Sequence, residues 1–235
     1  MLRIGRQTII PAGIMDVRVR APASAAVAAS WWEVAGKTCV AAYQPKGAAS
    51  LSASYSNLAQ PGTYDAAPGT APTFDAAAGW TFDGVNDVLK TGVTPANNQT
   101  WSMLVRFSNV AATGYQCVAG IHIDDTTCFS VQWRNLNASY TYRSGGTSDV
   151  VVPVPVAGVV AVAGPNGYLD GVDVADIAAG DGASFATATI GLGAAYANVS
   201  TAIRFLPCKI QAAVIYSDTL SAAQVATVSA AMAAL

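Results

Sequence analysis

Short apolar segments separated by turn residues recur along most of the chain and predict β-strands. CVAAY, which starts at Cys39, is the first such segment, and WSMLVRFS, CFSVQWR and IQAAVIY are later ones. Strands that recur every 8 to 12 residues or so are typical of two-sheet sandwiches. The pattern therefore predicts an all-β domain, an antiparallel sandwich of two sheets, over residues 39–235.

One helix is predicted, at the C-terminal end of the printed sequence. Ser221 can cap its free amides, and Gln224, three residues later, completes a capping box. A single apolar face with helical spacing is formed by Val225, Val228, Met232 and Leu235. We expect this short helix to pack on the sandwich or on a neighbouring subunit.

Residues 1–38 have scattered Pro, Gly and Arg, and only MDVRVR alternates like a strand. We predict an extended N-terminal arm that serves attachment or oligomerisation. The candidate anchoring residues of this arm are Arg3, Arg6, Arg18, Arg20, Trp31 and Trp32. Two interpretations of the tryptophan pair stay open, because it can dock onto a partner subunit as an aromatic anchor or fold back onto its own core.

The chain is unusually poor in charge. Charged residues make up 11% of it, against about 25% in ordinary soluble domains, and its mean hydropathy is +0.37. No uninterrupted apolar window reaches the roughly 18 residues of a membrane span, and no segment is typical of a secretion signal. A low-charge surface favours a subunit covered by copies of itself or by other proteins. The net charge of -2 argues against a direct nucleic-acid partner.

The four cysteines, Cys39, Cys117, Cys128 and Cys208, show neither CxxC spacing nor a histidine cluster, which argues against zinc. Their apolar flanks favour buried free thiols. Two disulfides are the alternative, and they would require an oxidising compartment.

Acidic and amide residues concentrate at predicted turns. In WTFDGVNDVLKTGV, Asp83-Gly84 and Asn86-Asp87 have the chemistry of a chain reversal, and Asp170-Gly171 predicts a tight hairpin. We therefore predict no cofactor. The alternative is a calcium site, for which no regular Asp-x-Asp-x-Asp spacing exists. Its candidate ligands are Asp83, Asp87, Asp124, Asp125 and Asp170.

The sequence offers little catalytic chemistry. Retaining glycosidases need two closely placed carboxyl groups, whereas the only glutamate is Glu33, in the arm. The only histidine, His122, is expected on a strand face near a hairpin end, and no G-x-S-x-G elbow occurs. We predict that the protein is not an enzyme.

Aromatic and cationic residues alternate in VQWRNLNASYTYRSGG, and aromatic faces beside hydrogen-bond donors suit sugar rings. The candidate glycan-binding residues are Trp133, Arg134, Tyr140, Tyr142 and Arg143. The alternative is that members of this set pack the interior of the sandwich.

Five motifs in order, AAY, GWTFDGVNDVLKTG, WSMLVRFS, VAVAGPNGYLDGVDV and IQAAVIYSDTLSAAQV, give residues 39–235 a resemblance to a known family. The chain resembles laminin-G-like, concanavalin A-like jelly rolls, in the version found in bacteriophage structural proteins. This resemblance implies a jelly-roll sandwich in a capsid-decoration, head-fibre or tail-associated virion subunit, assembled in the host cytoplasm.

The expected partners are then copies of the chain, other virion proteins and cell-surface or mucus glycans. Two alternatives stay open: an extracellular glycan-binding lectin, and a glycan hydrolase, which the missing carboxylate pattern disfavours.

Overall fold

The computed structural model of the chain describes residues 30–97, 100–124, 127–134, 139–144, 152–153, 156–176, 185 and 187–235. The strands are β1 (Cys39–Tyr43), β2 (Ala67–Thr70), β3 (Thr73–Asp75), β4 (Gly79–Asp83), β5 (Val88–Lys90), β6 (Ser102–Ser108), β7 (Gln116–His122), β8 (Cys128–Arg134), β9 (Ser139–Ser144), β10 (Val152–Pro153), β11 (Ala157–Ala163), β12 (Asn166–Leu169), β13 (Val172–Asp176), β14 (Gly191–Leu192), β15 (Ala195–Tyr196), β16 (Ala202–Ile203) and β17 (Pro207–Tyr216). The helices are α1 (Leu51–Ser54) and α2 (Ala222–Ala233).

The strands form two sheets, of eight and nine strands. The first has the order β13-β12-β11-β6-β17-β4-β3, with β1 also paired to β17. The second has the order β10-β9-β8-β7-β14-β5-β2. In addition, β15 pairs with β7, and β16 pairs with β15. The β15–β7 pair is parallel, and the other described pairs are antiparallel. The predicted all-β fold of two sheets is confirmed.

The core lies between the sheets and is built by side chains that alternate between the two faces of each sheet. In β6, Met103, Val105 and Phe107 face the interior, while Leu104 faces the opposite side of the sheet. Trp133 of β8 meets Phe107 from the other sheet, with ring centroids 5.3 Å apart and planes at 81°. This edge-to-face pair joins the two layers.

Helix α2 packs on the outer face of the eight-stranded sheet, as predicted. Ser221 accepts from the Gln224 amide, and the Gln224 side chain accepts from the Ser221 amide, so the capping box is present. The buried face of the helix consists of Val225, Val228, Ser229 and Met232, and Leu235 packs beside it. Sheet residues such as Leu104 and Val214 complete this second apolar cluster.

The predicted turn chemistry is also confirmed. Asp83 accepts hydrogen bonds from the amides of Val85 and Asn86, at 2.8 and 3.2 Å. Asp170 and Gly171 both have positive φ, 50° and 80°, and they connect β12 to β13 in a two-residue hairpin turn. Asp83 holds the backbone of its own turn, whereas the Asp170 carboxylate accepts from the Val159 amide on β11.

The tryptophan pair lies on the domain itself. Trp31 donates from Nε1 to Gln44 at 2.8 Å, and the carbonyl of Trp32 accepts from the Tyr216 hydroxyl at 2.9 Å. Both rings pack against the cluster under α2. The pair therefore folds back onto its own domain, which is the second of the two interpretations left open by the sequence. Arg3, Arg6, Arg18 and Arg20 lie outside the described residues, so the boundary of the arm stays a prediction.

Candidate functional site: a polar groove on the eight-stranded sheet

The outer face of the eight-stranded sheet is only partly covered by α2 and the tryptophan pair. An open groove of about 410 Å³ lies beside the C-terminal end of α2. Residues of β6, β11 and β17 that the helix does not cover form its floor. Its polar lining residues, which define the groove, are Lys46, Arg106, Ser108, Asn109, Asp170, Lys209 and Gln211.

A β-bulge in β17 shapes the floor of this groove. The register against β6 shifts between Ile210 and Ala212, which leaves Gln211 as the extra residue. Gly79 of β4 makes the bulge sterically feasible, because a Cβ there would lie 2.3 Å from the carbonyl oxygen of Ile210. Bulges of this kind re-aim a side chain and are frequent near functional sites.

The Gln211 side chain has one satisfied end and one unsatisfied end. Its Nε2 donates to Oγ of Ser108 at 2.6 Å. The residue is only 8% exposed, and its Oε1 is buried without a hydrogen-bond partner. Because buried acceptors are nearly always paired, an unpaired one costs about 1–3 kcal/mol. Oε1 itself has almost no accessible surface, so a ligand donor satisfies it only when the Gln211 side chain turns toward the groove.

Two of the charged side chains of the groove bind the protein backbone, and two have no partner among the described residues. Arg106 donates to the carbonyl of Met232 at 2.8 Å, in the last turn of α2, where cations are favoured. Asp170 accepts from the Val159 amide at 2.8 Å. The ammonium groups of Lys46 and Lys209 have no partner among the described residues, and both side chains are partly exposed.

The glycan-binding residues predicted from the sequence do not form this site. Trp133 is 2% exposed and packs inside the sandwich, so it offers no ring face to a ligand. In the β8–β9 register, Tyr140 lies opposite Trp133 and Arg143 opposite Ser130. The side chains of Arg134, Tyr140, Tyr142 and Arg143 lie outside what the structure describes.

The outer face of the nine-stranded sheet holds a different polar group, the Arg204 cluster, formed by His122, Ser130, Gln132 and Arg204. Arg204 donates to Oε1 of Gln132 and lies 2.6 Å from Nε2 of His122. Gln132 also donates from Nε2 to Oγ of Ser130 at 2.6 Å. Because a guanidinium only donates, the contact between Arg204 and His122 requires that Nε2 of His122 be unprotonated. His122 therefore serves to hold Arg204.

Cysteine chemistry is suppressed in this structure. All four cysteines are free, with Cys117, Cys128 and Cys208 buried, which confirms the buried-thiol interpretation for these three. Burial raises the pKa of Cys117 to about 12, and nearby Arg204 only partly opposes this rise. Cys117 therefore remains a protonated thiol at neutral pH.

The acids singled out from the sequence bind backbone amides. Hydrogen bonds from backbone amides, that of Val85 above all, lower the pKa of Asp83, whereas burial raises the pKa of Asp87. Asp124 caps the Thr127 amide at 2.6 Å, and Asp125 lies outside the described residues. Within the described ranges, no three His, Cys, Asp or Glu residues group as metal ligands. In the same ranges, none of the helices has the length and apolar character needed to cross a bilayer.

No protein-family model and no curated protein matches the sequence. Solved structures do match in fold. Trypanosoma rangeli sialidase bound to a difluorosialic acid aligns with a TM-score of 0.58 at 15% identity, over 83% of this chain and 33% of that chain. The chain thus spans about a third of the sialidase length.

Two further structures match over a similar part of the chain. Domain 4 of AbnA, an extracellular GH43 arabinanase of Geobacillus stearothermophilus in complex with arabinotriose, aligns with a TM-score of 0.56 at 15% identity, over 82% of this chain and 98% of that domain. The receptor-binding domain of botulinum neurotoxin C/D mosaic serotype aligns at 0.52 and 10%, over 82% and 51%. At these identities the likeness establishes a shared β-sandwich fold.

Proposed function

We propose that this domain is a non-catalytic carbohydrate-binding module and that its ligand lies in the groove. The observation that carries the proposal is the buried Oε1 of Gln211, which lacks a hydrogen-bond partner among the described residues, in a groove that Lys46 and Lys209 also line. Sugar hydroxyls donate and accept at closely spaced positions, so one sugar unit can meet a buried acceptor and adjacent donors together.

The fold comparisons support the same class of function. The AbnA domain matches along almost its whole length and was solved with a bound arabinotriose. The botulinum domain is described as receptor-binding. A β-sandwich of this kind thus serves as a binding unit in at least two other proteins, although a fold alone does not determine a ligand.

The described lining of the groove supports binding without hydrolysis. Retaining enzymes place two carboxyl groups about 5 Å apart, and inverting enzymes place them about 6.5–9.5 Å apart. Among the residues that the structure describes, Asp170 is the only carboxylate that lines the groove, and the Val159 amide occupies one of its oxygens. Binding without turnover is therefore the activity that we propose.

A glycan array probed with the purified chain tests the proposal. We expect retention of at least one oligosaccharide, and an affinity at least about tenfold lower for Gln211→Leu, because the replaced Oε1 no longer accepts from the ligand. Lys90→Ala is the control, since Lys90 lies on β5 of the other sheet, where its ammonium group donates to the Val199 carbonyl and lies over the Tyr196 ring. Oligosaccharide binding that Gln211→Leu leaves unchanged would remove the groove from the proposal.

The virion role suggested by the resemblance remains a second proposal, favoured by the charged fraction of 11%. In this proposal the anchoring part is residues 1–29, because Trp31 and Trp32 already contact the domain itself. Deletion of residues 1–29 should leave a folded domain that no longer joins its assembly. Retained incorporation of the shortened chain would contradict this role.

A further inference from the structure

We infer that the groove selects sugars that carry an anionic group, either a carboxylate or a sulfate ester. This inference rests on the proposed function and assigns it a ligand class. In the inferred complex, Lys46 and Lys209 bind the anion, and a hydroxyl of the same or the adjoining sugar donates to Oε1 of Gln211.

The charge of the groove differs in sign from that of the whole chain. The described lining contains three cationic side chains and one carboxylate, a net charge of +2, whereas the chain carries -2. Only 12 lysine and arginine residues occur in 235, so three around one groove is a marked local concentration. Such a groove attracts anions and raises their local concentration.

The two lysines have the freedom that anion binding requires. Arg106 is already bound to the end of α2, and Asp170 to the Val159 amide. Lys46 and Lys209 have no such partner among the described residues, although backbone contacts fix the base of each side chain. The Lys46 amide donates to the Gln211 carbonyl, and Lys209 pairs with Ser108 across the sheet.

Gln211 excludes a ligand that is only an anion. Its Oε1 accepts and cannot donate, so a fully ionised sulfate or carboxylate oxygen placed there would be repelled. The ligand must therefore carry a hydroxyl or amide donor next to its negative group. Acidic sugars carry a negative group and a hydroxyl donor on one ring. Inorganic anions at neutral pH are much poorer at supplying both.

Calorimetry with three oligosaccharides of equal length tests the inference: a neutral galactan, an oligogalacturonate and a sulfated galactan. We expect the anionic ligands to bind at least about tenfold more tightly than the neutral one, and this advantage to shrink as salt rises. Tighter binding of the oligogalacturonate assigns a carboxylate, and tighter binding of the sulfated galactan assigns a sulfate ester.

Matched variants separate this inference from the proposed function. Lys46→Gln and Lys209→Gln should each weaken the anionic ligands about tenfold and the neutral ligand much less, because glutamine still donates to a hydroxyl but carries no charge, whereas Lys90→Gln should change neither. Equal binding of all three ligands, weakened only by Gln211→Leu, would overturn the anion selectivity and keep the glycan-binding groove. Absence of binding to any ligand on the array or in solution would overturn both.

Discussion

The outer faces of the two sheets use polar side chains in opposite ways. In the Arg204 cluster of the nine-stranded sheet, Gln132 is 1% exposed and bonds to Arg204 and Ser130. In the groove of the eight-stranded sheet, Gln211 is nearly as buried but leaves Oε1 unpaired. The same residue type is therefore a structural element on one face and a candidate binding element on the other.

The contrast shows that burial alone does not distinguish a structural polar group from a functional one. What distinguishes them is whether the hydrogen-bonding capacity is met inside the protein, because a satisfied network rigidifies the fold and an unsatisfied group costs stability. The groove retains that cost, which is typical of sites that bind a partner.

The largest effect is expected in the apolar half of the eight-stranded face. Met232→Ala should lower the free energy of unfolding by about 3 kcal/mol, since Met232 is fully buried on the sheet-facing side of α2 and its removal leaves a cavity. Urea denaturation monitored by circular dichroism measures this change. A loss under about 1 kcal/mol would mean that the helix is not firmly packed on the sheet.

The next effect compares the two glutamines directly. Gln132→Leu should lower the free energy of unfolding by about 2 kcal/mol, because Arg204 and Ser130 lose their buried partner. The same denaturation experiment applies. If Gln132→Leu proves no more destabilising than Gln211→Leu, the distinction between the two faces fails.

A smaller effect is expected for each pH unit under alkaline conditions. Burial raises the pKa of Cys117 from 9.0 to about 12, so the unfolded thiol ionises first and stability is lost as pH rises from 9 toward 12. The slope should be about 1.4 kcal/mol per pH unit for this thiol. Cys117→Ala should remove that contribution, and an unchanged slope in this variant would assign the alkaline loss to other groups.

The smallest effect on stability is expected from Gln211→Leu. The lost bond to Ser108 is offset by removal of the unsatisfied Oε1, so the free energy of unfolding should change by less than about 1 kcal/mol. The glycan affinity of the same variant should nevertheless fall. A large loss of stability would show that Gln211 is a structural residue like Gln132.

The sequence was sufficient to predict the sandwich, the capping box at Ser221 and the turns at Asp83 and Asp170, because each depends on local periodicity or on turn chemistry. It was not sufficient to find the groove. The groove depends on a register shift at Gln211 and on strands distant in sequence. The signal that could have pointed to it was a cation inside otherwise apolar strands, in MLVRF and PCKIQ, in a chain so poor in charge.

The prediction of Trp133 as a glycan-binding residue was wrong for a related reason. Its alternation is equally compatible with a ring turned outward toward a sugar or inward toward the core, and only the pairing with the opposite sheet decides between them. The structure turns Trp133 inward onto Phe107. The exposed members of a binding face cannot be separated from core members without that register.

The bond from Arg106 to the carbonyl of Met232 gives the final helix a role beyond covering the sheet. One wall of the groove is fixed by how α2 is seated, and that seating depends on apolar residues that never meet a ligand. Variation in those buried positions offers related domains a route to new preferences while every lining side chain is kept.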